Sequence, residues 1–371
     1  MSALASVFRN VKNLPGKKTK RKIVVFFVDD YGSVRVKNRE AYRHLKEAGI
    51  PMDQTRFSKF DTLTDKQDLL LLFDTLTSVK DANQNYACFT PFTIVANPDF
   101  EKIEASGCKE YYREPFNQTL EKYGEDYRDV FDLWKQGIHE NIFYPAYHGT
   151  EHINVKRFME ALQAGYKSVS LAFKYQSVAI PPLPGEPPIP HPTATFFIEH
   201  PEENEQLEND IKVGTTMFHE LFGFQSKQFT PGASIYSPAL NKTLVENGIK
   251  YIHVNRFQAY PLGNGKHSMQ FLYNGKQNAY GQKYIVRNCV FEPDGRSDNE
   301  AANRCLMDIE AAFRWDAPGL ISSHRVNFAG HFDKPHRNNS IDQLRYLLKK
   351  IIKRWPEVEF MNGDEMADSI L

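Results

Sequence analysis

Hydrophobic residues occur in short runs along this chain, and amphipathic segments separate the runs. Residues 23–28 are six consecutive β-branched or aromatic side chains, a pattern typical of a strand that is covered on both faces of a parallel sheet. Similar runs predict strands at residues 88–95 and 142–147 and at Gly319–His324. These strands are spread over most of the chain, so that any sheet they form draws on distant segments.

Apolar residues at helical spacing fill the intervals between these strands. The predicted helices cover residues 39–48, 65–80, 115–124, 126–137 and 155–164. Strands that alternate with helices indicate βα units and a parallel sheet. We expect the sheet to be closed into a distorted (β/α) barrel of about seven strands.

Two segments interrupt the alternation. Residues 181–192 contain seven prolines, which predicts extended, polyproline-like chain and excludes helix; a stiff loop is the simpler interpretation, and an SH3-type ligand is the alternative. Residues 256–296 are polar, aromatic and rich in glycine and asparagine. They fit a cap that faces a sugar and equally a peripheral hairpin packed by its own aromatic rings.

The first strand ends in two adjacent carboxylates, Asp29 and Asp30. In α/β folds, catalytic groups collect where parallel strands end at their carboxyl side. A helix N-cap would use the same residue type, so the strand alone leaves a site and a cap equally open.

His148 and His152 make a site the better interpretation. Their i, i+4 spacing predicts that both imidazoles lie on one face of a helical turn, close enough to hold one metal ion. Together with one carboxylate they provide three protein ligands, which leaves a position open for water. Two surface histidines on a helix are the alternative.

In order, these features resemble the motifs of the polysaccharide deacetylase family, also called the NodB-homology or carbohydrate esterase family 4 group. The Asp-Asp pair within residues 28–32 resembles its first motif, with Tyr31 inserted before the glycine, and His148 and His152 resemble its second. Residues 229–232 keep the frame of the third motif without its arginine, and Gly319–His324 resembles the last. The likeness extends over about residues 22–366, with residues 340–361 as the closing helix and strand.

The resemblance implies a role for each residue of the candidate site. Asp30, His148 and His152 would hold a divalent metal ion, with Zn²⁺ preferred and Co²⁺, Ni²⁺ or Mn²⁺ as alternatives. Asp29 would act as the general base and His324 as the acid that protonates the leaving amine, a role that His331 could take instead. A backbone N–H near residues 230–233 would bind the oxyanion.

Five further residues are candidates for substrate binding: Thr230, Pro231, Trp315, Asp316 and Arg325. Thr230 stands where the family has its arginine, which leaves the group that orients Asp29 unidentified. Asp316, or more weakly Asp294, is the expected partner of His324. Arg325 is a candidate for binding a substrate carboxylate or phosphate.

The expected function is therefore metal-dependent removal of N-acetyl or O-acetyl groups from a carbohydrate. An inverzincin-type metallopeptidase is an alternative, since residues 148–152 also match H-x-x-E-H with Glu151 as the base. A carbohydrate-binding barrel without turnover is a second alternative. A two-histidine, one-carboxylate oxygenase ranks last, because it has no use for Asp29 or His324.

Composition bounds these expectations without deciding among them. Lys+Arg and Asp+Glu are both 46 among 371 residues, so no global field attracts nucleic acid. Four scattered cysteines and the absence of a signal-like or transmembrane stretch favour the cytoplasm. We expect a basic, solvated N-terminal tail at residues 1–22 and one barrel domain at residues 23–371, with insertions near 175–225 and 256–300. Oligomeric state is left open.

Overall fold

A computed structural model describes residues 3–293 and 298–371. In chain order its strands are β1 (Ile23–Tyr31), β2 (Phe89–Ile94), β3 (Ala96–Pro98), β4 (Arg113–Pro115), β5 (Ala146–Gly149), β6 (Gln228–Phe229), β7 (Tyr251–His253), β8 (Phe257–Gly263), β9 (Lys266–Phe271), β10 (Lys283–Ile285), β11 (Cys289–Val290), β12 (Gly319–His324) and β13 (Glu359–Phe360).

The helices are numbered in the same way. They are α1 (Ala3–Val11), α2 (Arg39–Glu47), α3 (Arg56–Phe60), α4 (Lys66–Leu76), α5 (Phe100–Ala105), α6 (Phe116–Lys122), α7 (Val130–His139), α8 (Val155–Gln163), α9 (Lys167–Lys174), α10 (Glu203–Phe222), α11 (Asn241–Glu246), α12 (Glu300–Arg314), α13 (Lys334–Arg354) and α14 (Gly363–Ile370).

Eight parallel strands form one curled sheet in the order β10-β7-β6-β5-β2-β1-β12-β11, and β13 pairs with the start of β1. The prediction of a distorted (β/α) barrel is confirmed, with eight strands instead of about seven. The predicted strand at residues 142–147 is shifted, because β5 begins only at Ala146. The other predicted strands and helices agree with the structure to within a few residues at each end.

Side chains of β1 alternate between two hydrophobic layers, as the pleat of a strand requires. Val24, Phe26 and Val28 pack outward into the core that includes residues of α4, α7, α12 and α13. Val25 and Phe27 face the barrel interior, where α14 contributes Met366 and Ala367. Because both faces are covered by apolar groups, the run at residues 23–28 needs no polar position.

Of the two segments that interrupt the βα alternation, one has no regular structure and the other forms a hairpin. The proline-rich residues 181–192 lie between α9 and α10, outside any helix or strand. In the aromatic segment, β8 and β9 form an antiparallel hairpin whose Phe257 and Phe271 rings lie 5.4 Å apart. The predicted insertion at residues 256–300 is too long, however, because β10 and β11 belong to the barrel sheet.

The N-terminal segment is packed against the barrel, which corrects the expectation of a solvated tail. Arg9 Nε and Lys12 Nζ contact Asp308 Oδ1 of α12 at 2.8 and 3.1 Å. Two basic side chains on one carboxylate fix this end of α1 to the outer layer of helices. In the described part of the chain, no helix combines the length and apolarity that crossing a membrane requires.

Candidate metal centre

A cavity of about 270 Å³ opens at the carboxyl ends of the central strands. Its wall includes most of the residues that the sequence singled out for chemistry: Asp29, Asp30, His148, His152, Thr230, Pro231 and His324. These residues come from four strands and the turns that follow them. The carboxyl ends of the strands therefore form a single site, as in other barrels.

A break in the β1 ladder places both aspartates at this cavity. Neighbouring side chains of a regular strand point to opposite faces, so that adjacent carboxylates should diverge. The pairing of β1 with β2 shifts register between Val28 and Tyr31, and Asp30 has a φ of 77°. Such an irregularity re-aims side chains, and here both Asp29 and Asp30 line the cavity.

Asp30, His148 and His152 form a compact set of potential metal ligands. The Nε2 atoms of His148 and His152 lie 3.3 and 3.0 Å from Asp30 Oδ1, and one ligand atom from each residue falls within 4.8 Å of the others. Although burial opposes it, the two imidazoles hold the pKa of Asp30 well below its usual range. An ionised carboxylate and two imidazoles fit a divalent cation such as Zn²⁺.

The orientation of His148 is fixed by a backbone carbonyl. Its Nδ1 lies 2.8 Å from the oxygen of Thr230, which is the arrangement of an Nδ1–H that donates to a carbonyl. That bond directs Nε2 at Asp30, where it can bind a metal ion, as metal-binding histidines are usually held. Thr230 therefore contributes its main chain to the site, in place of the arginine side chain found in the resembled motif.

The two histidines do not share a helix, which corrects the interpretation of their spacing. His148 lies in β5, and the next residue, Gly149, has a φ of 128°. His152 follows in the turn before α8. The strand and the sharp turn bring the two rings to 5.0 Å between centroids, a separation that a helical i, i+4 pair also gives.

Arg287 supplies the guanidinium that the third motif lacks. It lies in the connection between β10 and β11, and its Nη1 and Nη2 donate to the two carboxylate oxygens of Asp29 at 2.6 and 2.7 Å. Burial alone would raise the pKa of Asp29, but the charge of Arg287 and these two hydrogen bonds lower it below its usual range. Asp29 is thus held ionised and in one orientation.

A buried histidine extends this arrangement towards the barrel interior. Arg287 Nε lies 3.3 Å from Nδ1 of His253, and Nε2 of His253 lies 2.8 Å from Gln228 Oε1. Burial, together with the nearby charge of Arg287, lowers the pKa of His253 well below its usual value. A neutral His253 can therefore accept a hydrogen bond from Arg287 and donate one to Gln228, and these two bonds help to hold the guanidinium in place.

His324 is paired with Glu292, a residue that the sequence analysis did not identify. Nδ1 of His324 lies 2.5 Å from Glu292 Oε1, and Glu292 Oε2 accepts from Asn327 Nδ2 at 2.7 Å and from Arg56 Nη1 at 2.6 Å. Burial opposes protonation, yet the bond and charge of Glu292 raise the pKa of His324 to about 9. His324 is therefore an imidazolium at neutral pH.

The structure does not bring Trp315 and Asp316 to the cavity. Both precede β12 and so lie at the amino end of that strand, opposite the site; Trp315 Nε1 donates to Asn10 Oδ1 at 3.2 Å. Glu292 takes the place expected for Asp316, and Asp294 lies outside the described residues. His331 is beside Tyr127, with ring centroids 6.0 Å apart, and does not line the cavity.

Arg325 is a structural residue, which corrects the expectation that it binds substrate. Its side chain has 0% exposure and donates from Nε and Nη2 to Asp61 Oδ1 at 3.0 and 2.9 Å. It also donates to the backbone oxygen of Ser33. Arg325 begins a short 3-10 helix after β12 and does not line the cavity itself, whereas its partners Asp61 and Ser33 do, so its guanidinium supports the cavity wall.

We expect Arg325→Ala to destabilise the fold by about 3–5 kcal/mol, since the change leaves the Asp61 carboxylate buried and unpaired. Urea unfolding measures this loss. Arg43→Ala is the matched control: Arg43 is 63% exposed and its Nε lies 3.9 Å from Glu47 Oε1, so we expect less than about 0.5 kcal/mol. Equal effects of the two substitutions would contradict the structural role of Arg325.

Three solved structures are similar to this chain, and the support for the barrel assignment rests on the first of them. A putative glycoside hydrolase/deacetylase from Parabacteroides distasonis has a TM-score of 0.50 at 9% identity, over 95% of this chain and 72% of that one. A 4-alpha-glucanotransferase from Thermococcus litoralis has a TM-score of 0.47 at 11% identity over 93% of this chain, which spans only 40% of that protein. A putative polysaccharide deacetylase from Mycobacterium smegmatis has a TM-score of 0.43 at 11% identity, over 96% of this chain and 91% of that one.

The fold is a deacetylase-like (β/α) barrel, of the kind found in carbohydrate-active hydrolases. Residues 72–282, more than half of the chain, match the model of glycosyl hydrolase family 57. The chain belongs to glycosyl hydrolase family 57. His148, His152 and Thr230 fall within the matched residues, whereas Asp29, Asp30 and His324 lie outside them. No curated protein matches the sequence significantly.

Proposed function

We propose that this protein is a metal-dependent deacetylase that removes acetyl groups from a carbohydrate. The observation that carries the proposal is one cavity wall that combines three metal ligands, an aspartate held ionised by Arg287 and a histidine held protonated by Glu292. A base and an acid whose environments push their pKa values apart are the mark of acid–base catalysis. Family membership supports a carbohydrate as the substrate.

Each residue has a defined task in this reaction. When bound to Asp30, His148 and His152, a divalent cation supplies Lewis acidity, which polarises a carbonyl and makes water more acidic. Asp29 takes the proton from the attacking water through a carboxylate oxygen. His324, whose Nδ1 is bonded to Glu292, gives the proton on Nε2 to the leaving amine or alcohol.

The environment of the carboxylates favours deacetylation over cleavage of a glycosidic bond. A glycosidase needs one carboxylic acid that is protonated at working pH. The pKa values of Asp29 and Asp30 both lie below their usual range. Burial raises the pKa of Asp61, which also lines the cavity, but two hydrogen bonds from Arg325 engage one of its oxygens. Among the residues given a task above, the protonated group is His324.

The geometry does not support one of the two alternative functions, a metallopeptidase, and leaves the other, a binding barrel, open. The metallopeptidase requires a helix at residues 148–152 and a free Glu151; instead His148 lies in a strand and Glu151 is buried, with Arg113 Nε at 2.5 Å. That alternative is not supported. A barrel that binds carbohydrate without turnover has the same residues available and is separated from the proposal by experiment.

The test uses protein loaded with Zn²⁺ and a panel of N-acetylated and O-acetylated oligosaccharides, with acetate and new reducing ends measured in the same samples. The proposal predicts acetate without new reducing ends. New reducing ends without acetate would show that the protein is a glycosidase, the activity that membership of glycosyl hydrolase family 57 favours. Sugar binding with neither product would establish the binding barrel.

We expect Glu292→Gln to lower the pKa of His324 from about 9 towards its ordinary value of about 6.5, because burial is then opposed only by the charges of Asp30 and Asp29. Histidine NMR signals of the protein without added metal, followed between pH 5 and 10, measure the change. The raised pKa also stabilises the fold below about pH 6.5, and this contribution is lost as the pH rises through about 9.

Arg56→Gln is the control for this titration, because Arg56 is the other charged partner of Glu292. Its removal takes a positive charge away and leaves Glu292 bonded to His324, so we expect a His324 pKa at or above that of the unchanged protein. A His324 midpoint that is the same in Glu292→Gln as in the original chain would contradict the pairing.

A further inference from the structure

Arg35 lines the same cavity as the metal ligands, within reach of the charges of Asp61 and Asp30 but without an ion pair to either. Its Nε is buried without a hydrogen-bond partner. Among the described residues, no carboxylate lies within ion-pair distance of its guanidinium. Buried polar groups are nearly always hydrogen-bonded, and a cation in that position is costly unless something pairs with it.

The other charges around the cavity pair off. Each remaining arginine that contacts the wall binds one carboxylate at hydrogen-bond distance. The pairs are Arg287 with Asp29, Arg325 with Asp61, and Arg56 with Glu292. Glu292 is shared between Arg56 and the His324 imidazolium. What is left is Asp30, which belongs to the metal ligands, and Arg35.

The backbone around Arg35 is held in place by hydrogen bonds and by buried neighbours. The preceding residue, Val34, donates its N–H to Asn97 Oδ1 at 2.7 Å, and the oxygen of Arg35 accepts from Val178 N at 2.9 Å. Val34 and Val36 on either side are 3% and 0% exposed. Burial lowers the pKa of the Arg35 guanidinium, in keeping with a cation that lacks a close partner.

We infer that Arg35 forms an anion subsite that binds a carboxylate or phosphate group carried by the substrate sugar. A guanidinium presents two parallel N–H donors that match both kinds of anion. With a divalent cation on Asp30 and His324 as an imidazolium, the cavity has three positive charges in excess of its four carboxylates, which adds attraction over a longer range. This inference specifies the substrate class for the proposed function and rests on that proposal for its sugar.

The experiment measures equilibrium binding by calorimetry to the Zn²⁺-loaded full chain. Its probes carry no acetyl group and are not turned over: methyl glucuronide against methyl glucoside, and glucose 6-phosphate against glucose. We expect one anionic probe to bind at least about tenfold more tightly than its neutral partner, as a charge-assisted bond implies. The probe that shows the gain identifies the anion as carboxylate or phosphate.

Arg35→Gln should abolish the gain and leave the neutral sugar unaffected, whereas Arg35→Lys should keep part of it, since the charge remains without the fork. Lys37→Gln is the matched control, because Lys37 is two residues away with its Nζ on Gln176 Oε1 at 2.5 Å, and it should keep the full gain. Thermal melting confirms that each variant is folded.

Equal binding of charged and neutral probes by the original chain would overturn the inference. So would a gain that survives Arg35→Gln, because the anion would then bind the metal or another group. The outcome is independent of acetate release. A protein with Arg35-dependent binding and no deacetylation refutes the proposed function alone, and deacetylation without that binding refutes the subsite alone.

Discussion

Replacing His148 or His152 with alanine is expected to remove tightly bound metal and to lower deacetylation by roughly 10³-fold or more, since the metal supplies several kcal/mol of transition-state stabilisation. Two remaining ligands seldom hold Zn²⁺ at a catalytic site. Metal content by elemental analysis and acetate release are measured on the same preparations.

The fold should survive both substitutions, because barrel stability lies in the packed strand layers and not in the carboxyl-end site. His331→Ala is the control: it removes a histidine that does not line the cavity, and we expect a full equivalent of metal. If either ligand variant retained a full equivalent of tightly bound metal, the ligand set would be wrong.

The second large effect concerns the pair formed by Asp29 and Arg287. We expect Asp29→Asn to lower turnover by roughly 10²–10⁴-fold, the usual contribution of a general base, with metal content unchanged. Arg287→Met should also lower turnover, by about 10²-fold, because the carboxylate loses the two hydrogen bonds that orient it.

The double variant separates a positioning role of Arg287 from a direct one. If Arg287 acts through Asp29, then Asp29→Asn combined with Arg287→Met should be no slower than Asp29→Asn alone, since coupled residues are not additive. Arg287→Met should in addition raise the pH at which turnover begins, because burial then acts on Asp29 without the guanidinium. Additive losses with an unchanged pH profile would contradict this role.

The sequence predicted the framework and the grouping of Asp30, His148 and His152 because both depend on local patterns. The unbroken apolar run of β1 is explained by burial on both of its faces. His148 and His152 were found through their spacing, although the interpretation as a helix was wrong. A strand followed by a glycine at φ 128° brings two histidines together as well as a helical turn does, and spacing alone does not separate the two.

The partners of Asp29 and His324 could not be predicted in the same way. Arg287 and Glu292 lie 258 and 32 residues from the side chains they bind, in a segment interpreted as a peripheral insertion. The run Cys289-Val290-Phe291 followed by Glu292 repeats the signal of β1, a short apolar strand that ends in an acid, and could have identified the second residue. The predictions for Trp315 and Asp316 were wrong because closeness to β12 in sequence does not specify at which end of the strand a residue lies.

Anomalous diffraction at the zinc edge, from a crystal grown with Zn²⁺, tests the central claim most directly. We expect one strong anomalous peak in the cavity, from a zinc ion bound by Asp30 and by the Nε2 atoms of His148 and His152. Asp29 should lie outside the coordination sphere and stay hydrogen-bonded to Arg287. A peak with other protein ligands, or no peak in this cavity at saturating zinc, would contradict it.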